Sequence, residues 1–116
     1  MGSSTGDERR YRHLFESVAV GLCILRVIVD ERGVPVDYVI VDANPAFERH
    51  TGLKDAIGRR VRELVPGIEQ FWIDTYGRVA LTGEPARFVN KVASWNKWFE
   101  VEATRFGRPD ERLVAV

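Results

Sequence analysis

The chain has 116 residues, 45% hydrophobic and 29% charged, a balance that suits one soluble globular domain with a modest core rather than a disordered chain. Its 17 acidic and 17 basic residues cancel; with no apolar run near the roughly 20 residues of a spanning helix and no secretory leader, neither a nucleic-acid partner nor membrane contact by this domain is expected. Cys23 is the single cysteine, so there is no internal disulfide, and a reducing, cytoplasmic location is expected.

Residues 1–6 are small and polar and read as a tag or disordered start, outside the fold proper. Residues 7–17 predict an amphipathic helix. Tyr11, Leu14, Phe15 and Val18 recur at three- and four-residue steps, with Arg9, Arg10, Arg12 and Glu16 on the other side. This stripe fits packing on its own domain or pairing with a second copy, and the pattern leaves both open. Residues 22–29 form an apolar, β-branched run and predict a strand. Arg26 interrupts it and is expected to be solvated at a sheet edge. Cys23 within it reads as a small buried hydrophobe. Asp30, Glu31, Arg32 and Gly33 make a turn, and residues 36–43 predict a second strand in an antiparallel hairpin with the first.

Residues 44–52 then write a short helix between a start and a stop. Asn44 can cap an orphan backbone N–H. Pro45 suits the first helical position, and Gly52 can take the left-handed conformation that ends a helix. Residues 53–57 read as one more turn, and 59–64 as another short segment stopped by Pro66 and Gly67. Residues 68–81 predict the longest helix, with Ile68, Phe71, Trp72, Thr75, Tyr76, Val79 and Ala80 at helical spacing and Gly83 and Pro85 behind it. Residues 86–93 predict a third strand, with Phe88, Asn90 and Val92 on one face. Phe99, Val101 and Ala103 share a face of the fourth strand, opposite Trp98, Glu100, Glu102 and Thr104. A turn over 108–111 leads to a fifth strand at 113–116. An amide such as Asn90 on an apolar face must bond backbone, water or a ligand, because an unpaired buried amide costs about 1–3 kcal/mol. Ending inside a strand, the chain reads as a piece of a longer protein.

Two strands, a helical block and three strands predict an α+β fold: a five-stranded antiparallel sheet with helices on one face and an N-terminal amphipathic helix. The order of strand, Asn44-Pro45-Ala46-Phe47, Thr51-Gly52, Ile57-Gly58, Leu64-Val65-Pro66, Gly83-Glu84-Pro85, Phe88 and Trp98-Phe99-Glu100-Val101 resembles the PAS sensory domain over residues 8–116. The resemblance implies a sensor that binds a small ligand, dimerises through its N-terminal helix and sheet, and relays a signal. The effector would be a histidine kinase or cyclic-dinucleotide enzyme of a bacterial or archaeal signalling protein. The domain itself would have no catalysis. Flavin photosensors of that family carry a cysteine directly after the hub asparagine. Here that position is Pro45, so covalent flavin chemistry is not expected. Haem-binding members need an iron ligand, commonly a histidine on the long helix; residues 68–81 contain none, and His13 and His50 stand in no metal-binding spacing.

By face and period, the candidates for a ligand pocket are Phe47, Trp72, Tyr76, Phe88, Asn90, Phe99 and Val101, with Asn44, Pro45 and Gly52 as the structural hub. Two alternatives stand beside the sensor. One is an interaction module whose aromatics fill its own core. The other is a small isomerase or dehydratase of cone-like α+β fold, disfavoured because Asp42, Glu100 and Glu102 fall on the less apolar sides of their strands.

Overall fold

Asp30 turns the chain after the first apolar run: its carboxylate accepts the backbone N–H groups of Arg32 and Val34 at 2.8 and 3.0 Å. Gly33 takes φ 79° there, which a residue with a Cβ adopts only at a cost. The turn joins β1 (Cys23–Val29) to β2 (Pro35–Ala43) in antiparallel register. The computed structural model describes residues 2–116; the side chains of residues 2–7, of Tyr11 and of Ser94 lie outside the described set. The remaining elements are α1 (Gly2–Ser17), α2 (Pro45–Thr51), α3 (Val61–Leu64), α4 (Gln70–Thr82), β3 (Ala86–Val92), β4 (Lys97–Phe106) and β5 (Leu113–Ala115).

The five strands form one antiparallel sheet in the order β2-β1-β5-β4-β3. Cys23, Leu25 and Val27 alternate inward along β1 and meet Tyr38 and Ile40 of β2, Trp72, Ile73, Tyr76 and Val79 of α4, and Val101 of β4. This is the α+β architecture the sequence predicts, a curled antiparallel sheet roofed on one face by α2, α3 and α4. The opposite sheet face carries Arg26 and Trp98, both exposed. β1 is an interior strand, so Arg26 reaches water from an open sheet face and not from an edge.

Several expected boundaries move. α1 begins at Gly2, so the backbone of 2–6, set apart in the sequence reading, continues the helix; Met1 lies outside the described residues. Extending a formed helix adds one hydrogen bond per residue and needs no new nucleus. Of the expected α1 stripe, Phe15 is buried and Val18 half-buried, but Leu14 is 62% exposed; the side chain of Tyr11 lies outside the described set. α1 meets the body chiefly at α2, which leaves room to cover only part of the stripe. Residues 53–57 do not make a helical turn, because Asp55 (φ 54°) and Gly58 (φ 85°) both reverse the backbone.

α4 buries a wider face than its predicted stripe. Ile73 is fully buried and absent from that stripe, while Phe71 is 41% exposed. Gly77 lets α4 lie against β2: a Cβ there would stand 2.2 Å from Pro35 Cγ. At the helix end, Gly83 caps with φ 79° and Arg105 donates to the Ala80 carbonyl at 3.5 Å. α3 has no side-chain cap of its own. Instead the buried carboxylate of Asp37, on β2, accepts the N–H of Arg62 at 3.2 Å and that of Tyr38 at 2.8 Å.

Candidate functional site: a cavity beneath the hub helix

Asn44 is 2% exposed and all its side-chain polar atoms are engaged. Its Oδ1 accepts the N–H of Phe47 at 2.9 Å, capping α2 as the sequence predicts. The same oxygen accepts the N–H of Leu22 at 2.8 Å, and Nδ2 donates to the Val20 carbonyl at 2.9 Å. One amide therefore starts a helix and pins the link between α1 and β1. Pro45 occupies the first turn and Gly52 closes α2 with φ 76°, both as expected. The link also runs close to α2: a Cβ at Gly21 would lie 3.2 Å from Phe47 Cα, so the two segments would have to part by a few tenths of an ångström to admit a side chain. Arg12 of α1 forms a two-pronged ion pair with Asp42, at 3.3 and 2.7 Å, next to this hub.

Between the sheet and the α2–α4 roof lies a cavity of about 720 Å³. Of the seven pocket candidates, Phe47, Trp72, Tyr76, Phe99 and Val101 line it. Phe88 and Asn90 do not. Phe88 packs edge-on against Phe71 and Trp72, with centroids 5.3 and 5.6 Å apart, and forms a second aromatic layer behind the wall. Asn90 turns its amide oxygen to the backbone N–H of Lys91 at 2.8 Å, the backbone partner that sequence reasoning allowed for it.

Other wall residues lay outside the sequence reading: Cys23, Leu25, Tyr38 and Ile40 from the hairpin, Leu53, and Trp95 from the β3–β4 connection. The apolar run of the first strand marked Cys23 as a buried hydrophobe, but only the sheet order shows which part of the hairpin borders space. The link residues Ala19, Val20, Gly21 and Leu22 form one rim, so Asn44 holds part of the cavity's edge. β4 pairs with β5 only over Thr104–Phe106. Along the rest of β4 the cavity reaches the sheet beside Glu100 and Glu102, both exposed.

The buried ionisable groups that border the cavity, Cys23, Tyr38 and Tyr76, are held in their uncharged forms. Burial pushes the Cys23 thiol from 9.0 up to about 12. Burial, reinforced by the nearby Cys23 and Asp37, raises the Tyr38 phenol far above its ordinary range. Tyr76 shifts the same way, first through burial and then through Tyr38 and Cys23. The Tyr38 and Tyr76 rings meet edge to face at 5.3 Å. Trp72, 4% exposed, has an indole N–H with no hydrogen-bond partner among the described residues. His50 stands exposed at the mouth, and its carbonyl accepts from Lys97 at 3.4 Å, tying the end of α2 to the start of β4. Among the described residues no group of three or more His, Cys, Asp or Glu side chains is placed to hold a metal ion. No helix among them is long and apolar enough to cross a membrane.

A family profile described as a PAS domain matches residues 9–85, about two thirds of the chain, from α1 through the end of the helical roof. The sheet order and roof complete the same architecture through β5. The chain belongs to the PAS domain family, and is therefore a sensory or interaction module. No curated protein matches the chain.

Proposed function

We propose that this PAS domain is a sensor. A small molecule enters the cavity, the domain pairs with a second copy through α1 and the outer sheet face, and the response passes to a C-terminal effector. A histidine kinase or cyclic-dinucleotide enzyme of a bacterial or archaeal signalling protein is the effector this reading names, and it includes a cytoplasmic location. The observation that carries it is the apolar cavity of about 720 Å³, within the roughly 300–1,000 Å³ typical of small-molecule sites. Its rim is the α1–β1 link that Asn44 grips. A molecule that favours one placement of that link shifts the population of α1 positions by its differential affinity. We assign the domain no catalysis: Glu100 and Glu102 are exposed, and Asp42 is engaged by Arg12.

Native mass spectrometry of freshly purified protein tests this reading. A retained small molecule, lost on denaturation, is the expected result. Protein that carries none, and gains none from a metabolite extract, would favour the second reading, a ligand-free interaction module. One observation supports that alternative. Trp98 and Val89, 67% and 62% exposed, are diagonal neighbours on the outer face of β3 and β4.

A further inference from the structure

We infer that the cavity selects a flat, uncharged, largely apolar molecule bearing a hydrogen-bond acceptor, and discriminates against carboxylates and phosphates. The inference rests on the reading of the cavity as a ligand site and adds the chemistry of what fits. Carboxylate and phosphate sites place arginine or lysine against the anion, through charge-assisted and often two-pronged bonds. Among the described residues lining this cavity there is no arginine and no lysine. The ionisable groups that do border it are Cys23, Tyr38 and Tyr76 inside, Glu100 and Glu102 at the sheet, and His50 at the mouth. The inner three keep their protons at neutral pH, and the two glutamates repel an anion. A carboxylate taken inside would lose its water and gain no counter-charge.

The walls specify shape as well as charge. Trp72, Tyr76, Tyr38 and Phe47 present rings from three different elements, and Trp95 and Phe99 pair edge to face at 5.9 Å on the fourth side. A planar molecule gains stacked and edge contacts from such rings. Size is no obstacle, since an apolar cavity of about 150 Å³ suffices for benzene. The acceptor follows from Trp72. Its indole N–H is buried in the wall with no partner among the described residues. A carbonyl oxygen brought within reach of that N–H would pair it, and a buried donor gains from the bond what it lacks in the unpaired state.

Three probes of matched shape separate the elements of this inference: 2-acetylnaphthalene, 2-ethylnaphthalene and 2-naphthoate. Binding is measured by titration calorimetry on the unmodified chain. The expected order is acetyl, then ethyl, then naphthoate, with the first exceeding the last by roughly tenfold or more and exceeding the ethyl compound a few-fold. Nitrogen-15 spectra give a signal from each of the three tryptophan indoles; one of them, assigned to Trp72 by its loss in Trp72→Phe, should move with the acetyl compound and not with the ethyl one. If Trp72→Phe fails to fold, the order of the three probes on the unmodified chain still decides. Naphthoate binding as tightly as the ketone would overturn the inference and leave the sensor reading standing. Ethylnaphthalene binding as tightly as the ketone would overturn the acceptor. Binding by none of the three, with no molecule retained in native mass spectrometry, would remove both the inference and the sensor reading.

Discussion

Replacing Gly77 by alanine tests the packing of α4 on β2 directly. In an exposed helix the change would help, because alanine exceeds glycine by about 1 kcal/mol in helix propensity. Here the new methyl would lie 2.2 Å from Pro35 Cγ and 2.6 Å from Pro35 Cβ, against roughly 3.5–4.0 Å for carbon atoms in contact. Neither partner yields easily: the proline ring is rigid, and Gly77 is backbone of a buried helix turn. Overpacking of this kind costs about 1–3 kcal/mol, and so close an approach belongs at the upper end. Subtracting the propensity gain leaves a net loss of about 2 kcal/mol. At about 4 °C per kcal/mol for a domain of this size, Tm should fall by about 8 °C. Urea denaturation of Gly77→Ala, Pro35→Gly and the double variant gives a cycle in which the pair should be less damaging than the sum of the single changes. Arg78→Gly, one residue along and exposed, sets the propensity scale in the same helix. A Gly77→Ala protein as stable as the parent, or more stable, would refute the close approach of α4 and Pro35.

Three further outcomes follow from the same geometry. Asn44→Ala removes a helix cap and leaves the Leu22 N–H and the Val20 carbonyl unpaired, so it should destabilise by about 3 kcal/mol or more in chemical denaturation; Asn44→Asp keeps both accepted bonds and should fall between. In the folded protein Cys23 holds its proton up to about 12, whereas the unfolded chain releases it near 9.0; Tyr38 and Tyr76 shift in the same direction. The folded state then binds more protons than the unfolded one, so stability is complete below pH 9.0 and declines as pH rises from there toward 12, a slope that Cys23→Ala should reduce. For the proposed pairing of two copies through α1 and the outer sheet face, sedimentation of Trp98→Arg should show a shift toward monomer with unchanged circular dichroism, and an unshifted assembly would move the contact elsewhere.

What the amino-acid sequence determined alone is local. Asn44, Pro45 and Gly52 mark α2 because capping and termination act between residues three to eight apart, within reach of a pattern along the chain. The same holds for the Asp30–Gly33 turn, for Gly83 after α4, and for the period-two strands whose inward faces became core. Tertiary structure decided where those faces meet. Asn44 also grips Leu22 and Val20, 22 and 24 residues away, and Asp37 caps a helix 25 residues downstream. Periodicity shows that a side chain points inward, but not what stands opposite, and that depends on the strand order β2-β1-β5-β4-β3. Hence Phe88 faces aromatic rings and not space, Ile73 is buried off the predicted stripe, and Gly77 is needed for a proline 42 residues before it. Face and period marked five residues that line the cavity, but its existence belongs to this second level, because empty volume is a property of how the sheet and its roof fail to fill the room between them.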